Sequence, residues 1–514
     1  MSDQMVVDSP KPHFLDRVGL RGFPWVTAFV LYTISYGWFW NVRNSFWCDD
    51  YWAFYYPGIP ENWHVMGFPK WIFLNKWLYE LIGPGFMRLV IFVVFFISAI
   101  CFYGISRKIS YLNEQLRKFA TLLFLLLPFN TTRVTLMVFH YTTAYFWFFL
   151  AWYLIVTFKS IWIKLLAASL FFLSFQMYSL PVFFALPILH LLNLEEIKDS
   201  RQLFLCIRKN LFLIIVSPVY VVLRWFFWNS KSAGLHNPSM PQLFLLGKIL
   251  LAPGLIVILI LVFAKYRFVE KRATLYLVAI SLFAIFLGLA PYIAYGSFHG
   301  PVAVRPGIGL FRGYWTYFLG DSNWQDRFLI LQPFGVSLLI CSLLYFIPLK
   351  IRRVQLFLQI MVISICVLIN TGFGFEFIVD YAKQKEVVSE LRNVGFDSTI
   401  SEYVIIDRAT HLNARGHPVG DWLYLVPIAY GVAPERVSVS NQCISSNGSR
   451  LVVIDGKKSY WKALRNWISQ GDFGFSVEIL DSPILCTPDL VENSRMQNQI
   501  PLLLYFNDTK KSLG

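Results

Sequence analysis

Apolar residues gather in this chain into long blocks rather than into the narrow stripes of a soluble domain. Eleven blocks approach or reach the length a helix needs to cross about 30 Å of hydrocarbon. They fall at 23–41, 86–104, 119–135, 137–158, 160–177, 180–193, 210–228, 243–264, 273–295, 328–348 and 354–375. The third, fifth and sixth are short or are interrupted by Pro128, Pro181 or Pro187. Prolines tolerated in such segments suggest broken or re-entrant helices beside a cavity.

Between the first two blocks the pattern changes. Over 69–82 the apolar residues Trp71, Ile72, Phe73, Leu74, Trp77, Leu78 and Leu81 fit one helical face, with Lys70, Lys76 and Glu80 opposite. This predicts an amphipathic helix lying in the membrane interface and ended by Gly83-Pro84-Gly85. From about 376 the charge rises and short alternating runs appear. The reading is helix 378–394, strand 402–407 (EYVIID), helix 419–431, strands 436–440 and 451–455 (LVVID), helix 458–469 and strand 475–480. Helices alternating with short apolar strands predict a small α/β domain. The domain division is therefore 1–375 and 376–514. Residues 495–514 read as a tail or a final docking strand (PLLLYF). No internal repeat or low-complexity tract stands out.

Composition sharpens the class. The chain is 56% hydrophobic and 15% charged, against about 25% charged in an ordinary soluble domain. The expected fold is a polytopic α-helical membrane protein of about 11 transmembrane helices with a small C-terminal extracytoplasmic α/β domain. The polar N-terminal stretch is too long before its apolar run to be a cleavable signal. With the N-terminus cytoplasmic, the inside connections hold 20 Lys and Arg and the outside ones hold 8. That asymmetry follows the positive-inside rule. The net charge of +15 then needs no nucleic acid; its natural partner is anionic lipid. The first external loop 42–85, the large loop 296–327 and the C-terminal domain all fall outside.

Candidate chemistry collects on that outer side. Trp47-Cys48-Asp49-Asp50-Tyr51 directly follows the first apolar block. Adjacent ionised carboxylates repel each other, and a nearby bilayer makes charge more costly. Asp49 and Asp50 are therefore candidates to hold a cation or a proton, or to act as a base. The competing reading is a solvated pair capping an interfacial helix. Arg133, just past Pro128, either snorkels to headgroups or contacts a phosphate. Arg224, near the outer end of its apolar block, has the same two readings. The loop 296–327 is rich in Gly and aromatics and carries His299, Arg305, Arg312 and Arg327. Guanidinium forks suit phosphate, so this loop is a candidate clamp for an anionic substrate. His411, His417 and Asp421 in the C-terminal domain read more simply as scattered surface residues. Cys443 and Cys486 fall where a disulfide could persist.

Asp49-Asp50-Tyr51 after the first span, then Gly67-Phe68-Pro69 and an amphipathic stretch, resembles the GT-C polytopic glycosyltransferases that use polyprenyl-phosphate sugars. The closer resemblance is to the bacterial serotype-converting O-antigen glucosyltransferase group, which often has a basic residue where this chain has Phe68, with Lys70 just after. The resemblance covers the architecture of 1–375. It implies a multi-pass enzyme of the bacterial inner membrane, acting on the periplasmic face. A polyprenyl-phosphate sugar would be the donor, and a cell-surface glycan or lipid-linked acceptor, as in lipopolysaccharide, would receive the sugar with inversion. One of Asp49 and Asp50 would be the base, with Asp50 favoured. Arg224, Arg305, Arg312 and Arg327, with Arg133, Lys70 and His299, would face the lipid phosphate. No metal is obligatory in such chemistry; a divalent cation, Mg or Mn, would sit on Asp49 and Asp50 if anywhere. Three other classes remain open: an O-antigen polymerase or ligase resting on loop arginines and a histidine, a lipid-linked glycan transporter or flippase, and a non-catalytic assembly protein.

Overall fold

The computed structural model describes residues 22–45, 47, 50, 74–109, 112–129, 131–177, 179–194, 200–227, 271–294, 329–345, 352–400, 402–409, 419–432, 438–440, 449–456 and 460–481. Those up to Phe373, apart from Ser45, Trp47 and Asp50, form one compact unit. Those three group with the residues from Gly374 onward in a second unit.

The first unit is helical. Its helices are α1 (Trp25–Tyr36), α2 (Leu74–Ser106), α3 (Glu114–Leu126), α4 (Phe139–Thr157), α5 (Ile161–Ser174), α6 (Leu180–Phe183), α7 (Ala185–Leu194), α8 (Ser200–Lys209), α9 (Leu211–Ile214), α10 (Val216–Phe227), α11 (Lys271–Ala294) and α12 (Gln332–Tyr345). Most of them overlap the apolar blocks read from the sequence; α8 instead lies in the connection 194–209, α2 starts within the stretch 69–82 read as interfacial, and the block 243–264 lies outside the described residues. Among the described residues, two helical stretches are long and apolar enough to cross a bilayer, Trp77–Ser106 and Arg353–Val394. Several others are shorter than the apolar block that contains them. The reason is local: the chain breaks at Pro128, and at the turns Phe184 and Ile215. Gly83 (φ 75°) kinks α2 at the place where the sequence predicts an end, and the helix resumes through Pro84.

An aromatic core holds these helices together. Phe102 of α2 stacks on Phe124 of α3 with centroids 4.4 Å apart. Phe334 of α12 reaches Phe102, Phe149, Trp152 and Phe183. A Cβ at Gly335 would lie 2.8 Å from the Ser281 carbonyl, so α11 and α12 approach too closely for any other residue there.

One long helix, α13 (Arg352–Val394), begins in the first unit and ends in the second. The sequence reads it as a span, 354–375, and a separate helix from 378. The change at 376 is one of surroundings and not of backbone. Gly395 (φ 81°) ends it, its amide returning to the Leu391 carbonyl.

The second unit adds α14 (Val419–Tyr430), α15 (Tyr460–Gln470) and a four-stranded sheet. The strands β1 (Glu402–Asp407), β2 (Ser438–Ser440), β3 (Ser449–Asp455) and β4 (Ser476–Asp481) lie in the order β2-β1-β3-β4. β1 pairs in parallel with β2 and β3, and β4 runs antiparallel to β3. Tyr403 to Ile406 and Leu451 to Ile454 are buried without alternation, as expected for central strands covered on both faces. At the end of β1, Lys383 of α13 pairs with Asp407 at 2.9 Å, and both side chains are buried. Lys383 also donates to the Ala409 carbonyl at 3.0 Å, and the Ala409 amide donates to Asp407 Oδ1 at 2.8 Å.

Candidate functional site

Asp50 is fully buried; its neighbour Asp49 lies outside the described residues. The turn at 47–50 closes on itself. The Asp50 amide donates to the Trp47 carbonyl at 2.8 Å, and the Trp47 amide donates to Asp50 Oδ2 at 3.3 Å. Trp47 is buried in turn, its ring edge-on to Phe377 of α13 at 4.9 Å. The turn is thus held by an apolar anchor at one end and a backbone-to-carboxylate bond across it. A water-facing cap does not fit Asp50, since its side chain is withdrawn from solvent. A carboxylate whose orientation is fixed by a backbone donor is the kind of group that can hold a proton or a hydroxyl in a defined place.

A cationic cluster lies within the first unit. Pro128 stops α3, leaving Leu127 extended (ψ 132°), and the 3-10 turn Thr131–Val134 follows. Arg133 comes off that turn, buried, with its guanidinium carbon 3.1 Å from the centre of the Tyr36 ring and 4.5 Å from that of Phe95. Tyr32, one turn before Tyr36, is 5.6 Å away. Arg88, near the kink of α2, is buried beside it and donates to the Val134 carbonyl at 2.8 Å and to the Arg43 carbonyl. Arg88, Arg133, Tyr32, Tyr36, Trp38 and Phe39 line one cavity of about 20 Å³, room for one water molecule. Among its described lining residues there is no carboxylate. Two guanidinium groups walled by aromatics favour an anion, by bidentate bonding and by Coulomb attraction at low dielectric. The space suits an anionic oxygen at the cavity mouth, not a whole sugar phosphate inside.

The wall is braced by a polar junction. Asn370 of α13 donates to the Leu126 carbonyl at 2.7 Å and accepts from the Tyr36 hydroxyl at 2.7 Å. Leu126 is the last residue of α3, where helix carbonyls lack intrahelical partners.

The other sequence candidates are placed as follows. Arg224 lies in α10, but its side chain is outside the description, as are Lys70, His299, Arg305, Arg312 and Arg327 entirely. His411, His417, Cys443 and Cys486 lie outside it too. No three His, Cys, Asp or Glu among the described residues come together as a metal would require. Arg88 escaped the sequence reading because a cation in the first turn of a span passes for a snorkelling residue. Its signal was its place at the start of the apolar block 86–104, the end that the charge asymmetry of the sequence assigns to the outer side.

No family model matches the chain, and no curated protein and no solved structure matches it.

Proposed function

We propose that this chain is an integral membrane glycosyltransferase. It takes a sugar from a polyprenyl-phosphate donor and passes it to a cell-surface glycan or lipid-linked acceptor on the extracytoplasmic face. The observation that carries the reading is the buried, oriented carboxylate of Asp50 directly beyond the first apolar helix. In the proposed step the acceptor oxygen bonds to the anomeric carbon while the bond from that carbon to the lipid-phosphate oxygen breaks. The acceptor proton passes to the carboxylate, and the electron pair leaves with the phosphate. A single displacement inverts the sugar. The leaving phosphate gathers charge and needs cationic donors; Arg133, Arg224, Arg305, Arg312 and Arg327 are the candidates for that role.

The test is transfer of a lipid-linked sugar in membranes, comparing the intact chain with Asp49→Asn and Asp50→Asn after confirming insertion. Loss of a general base costs roughly 10²–10⁴-fold, and a loss of that size in one variant is expected. Full activity in both would sink the proposal and move attention to the loop 296–327.

A further inference from the structure

A surface at the α5–α8 end of the first unit is built for a different contact. Lys164 of α5 is buried and donates from Nζ to Asn210 Oδ1 at 2.9 Å. Asn210 stands at the break between α8 and α9, and its Nδ2 donates to the Cys206 carbonyl at 2.9 Å. Cys206 and Asn210, one turn apart, are the buried edge of α8. Its other strips are open. Phe204 is 64% exposed and Ile207, one turn on, is exposed as well. Arg201, Arg208 and Lys209 are exposed, and no carboxylate lies on the helix.

At about 100° per residue, the Phe204–Ile207 strip lies between the buried edge and the strip of Arg201 and Arg208. An apolar and a basic strip therefore run side by side along α8, with the exposed Leu205 beyond the arginines and before Lys209. On α5 the side away from the buried Lys164 is apolar and open: Trp162 is 77% exposed, and Leu166, one turn on, is exposed as well. Water would not favour exposed apolar side chains of this size on both helices. The distribution matches an interfacial helix, with its apolar strip in the acyl boundary and its cations at headgroup phosphates.

We infer that α8, clamped to α5 by Lys164 and Asn210, is an anchor for anionic lipid headgroups. The inference rests on the membrane reading of the chain, and it adds a lipid preference that the glycosyltransferase proposal does not require. The orientation read from the sequence places this surface on the cytoplasmic side, where anionic lipid attracts Lys and Arg.

The test places a nitroxide at Phe204→Cys in the full chain, reconstituted in phosphatidylcholine with phosphatidylglycerol. Val93→Cys, on the long apolar part of α2, serves as reference, and the unsubstituted chain labelled alike gives the background. Position 204 is expected to collide more with oxygen than with a water-soluble nickel chelate. Ile207→Cys repeats the measurement should the first variant misfold. A water-exposed label at 204 and 207 with a lipid-exposed label at 93 overturns this inference and leaves the membrane reading intact. Water exposure at all three overturns both. Spin-labelled phosphatidylglycerol is further expected to be preferred over phosphatidylcholine, and Arg201→Gln/Arg208→Gln/Lys209→Gln to lower that preference by about threefold or more. An unchanged preference would count against the anionic specificity and overturn it.

Discussion

Replacing Lys383 by Met should loosen the α/β unit from the inside. The ammonium is 0% exposed and its partner Asp407 is 6% exposed, at 2.9 Å. At an effective dielectric of about 20 that separation gives an attraction of roughly 6 kcal/mol, most of it offset by the desolvation of both ions. The net worth of the pair is therefore small, but the cost of breaking it is not. Met at 383 leaves the Asp407 carboxylate buried without its ammonium, which costs about 3–5 kcal/mol. The Ala409 carbonyl loses a donor in the same step.

Lys383→Met/Asp407→Leu removes both charges and should recover most of that cost. The assay is amide hydrogen exchange in β1 and β3 of the full chain. Where exchange reports local opening, about 3 kcal/mol is roughly a 10²-fold acceleration. The single variant should show it, and the double variant should fall well short of it. Exchange within about threefold of the parent in Lys383→Met would refute the reasoning, as would a double variant as loose as the single one.

Other consequences can be checked separately. Arg133→Ala should lower sugar transfer by about tenfold or more, and Arg133→Lys should recover little, because an ammonium lacks the fork that binds phosphate bidentately; equal activity in Arg133→Ala and the parent would exclude it from the site. Gly335→Ala should cost about 1–3 kcal/mol through the clash with the Ser281 carbonyl, seen as a lower unfolding midpoint of the purified chain. The Thr399 hydroxyl and amide both donate to Asp397, which holds its carboxyl below the usual carboxylate range. Its stabilising effect is present above that range and lost as pH falls through the folded value, so acid should lower the protection of amides 395–400, relative to their intrinsic exchange rates at each pH, more in the parent than in Asp397→Asn. Glu386 is the opposite case: burial first, then Glu390 and Asp472, push its carboxyl up. Its favourable contribution belongs to low pH and is lost as pH rises through the folded value. Glu386→Gln should therefore slow exchange in this part of α13 at neutral pH, and a faster rate there would contradict the sign.

The C-terminal unit was readable because its signals are local. EYVIID and LVVID are apolar runs of strand length, and the structure returns strands at 402–407 and 449–455. The Lys383–Asp407 pair was not readable, because nothing nearby joins a helix residue to a strand end. Its trace is a lysine set among the buried positions Val379, Val387 and Leu391. In the first unit the apolar blocks marked where helices run but not where they stop, since proline breaks and 3-10 turns are decided by a few residues. Asp49 and Asp50 stood out as a motif, while the burial of Asp50 depends on Trp47 meeting Phe377, more than 300 residues later. Arg133 was found by its charge, whereas its ring partners come from two other helices.

The junction of Tyr36 and Asn370 also sets a clock. The two residues are 334 positions apart, and a ribosome adds roughly 5–20 residues each second. Roughly 20–70 s therefore pass between the making of α1 and the arrival of the amide that accepts from its Tyr36 hydroxyl. During that interval the Leu126 carbonyl also waits for the same asparagine. Until then α1 is held by α2, where the Tyr32 hydroxyl donates to the Phe92 carbonyl, and by Arg133 on the Tyr36 ring, and Asn370 completes the junction only when α13 emerges.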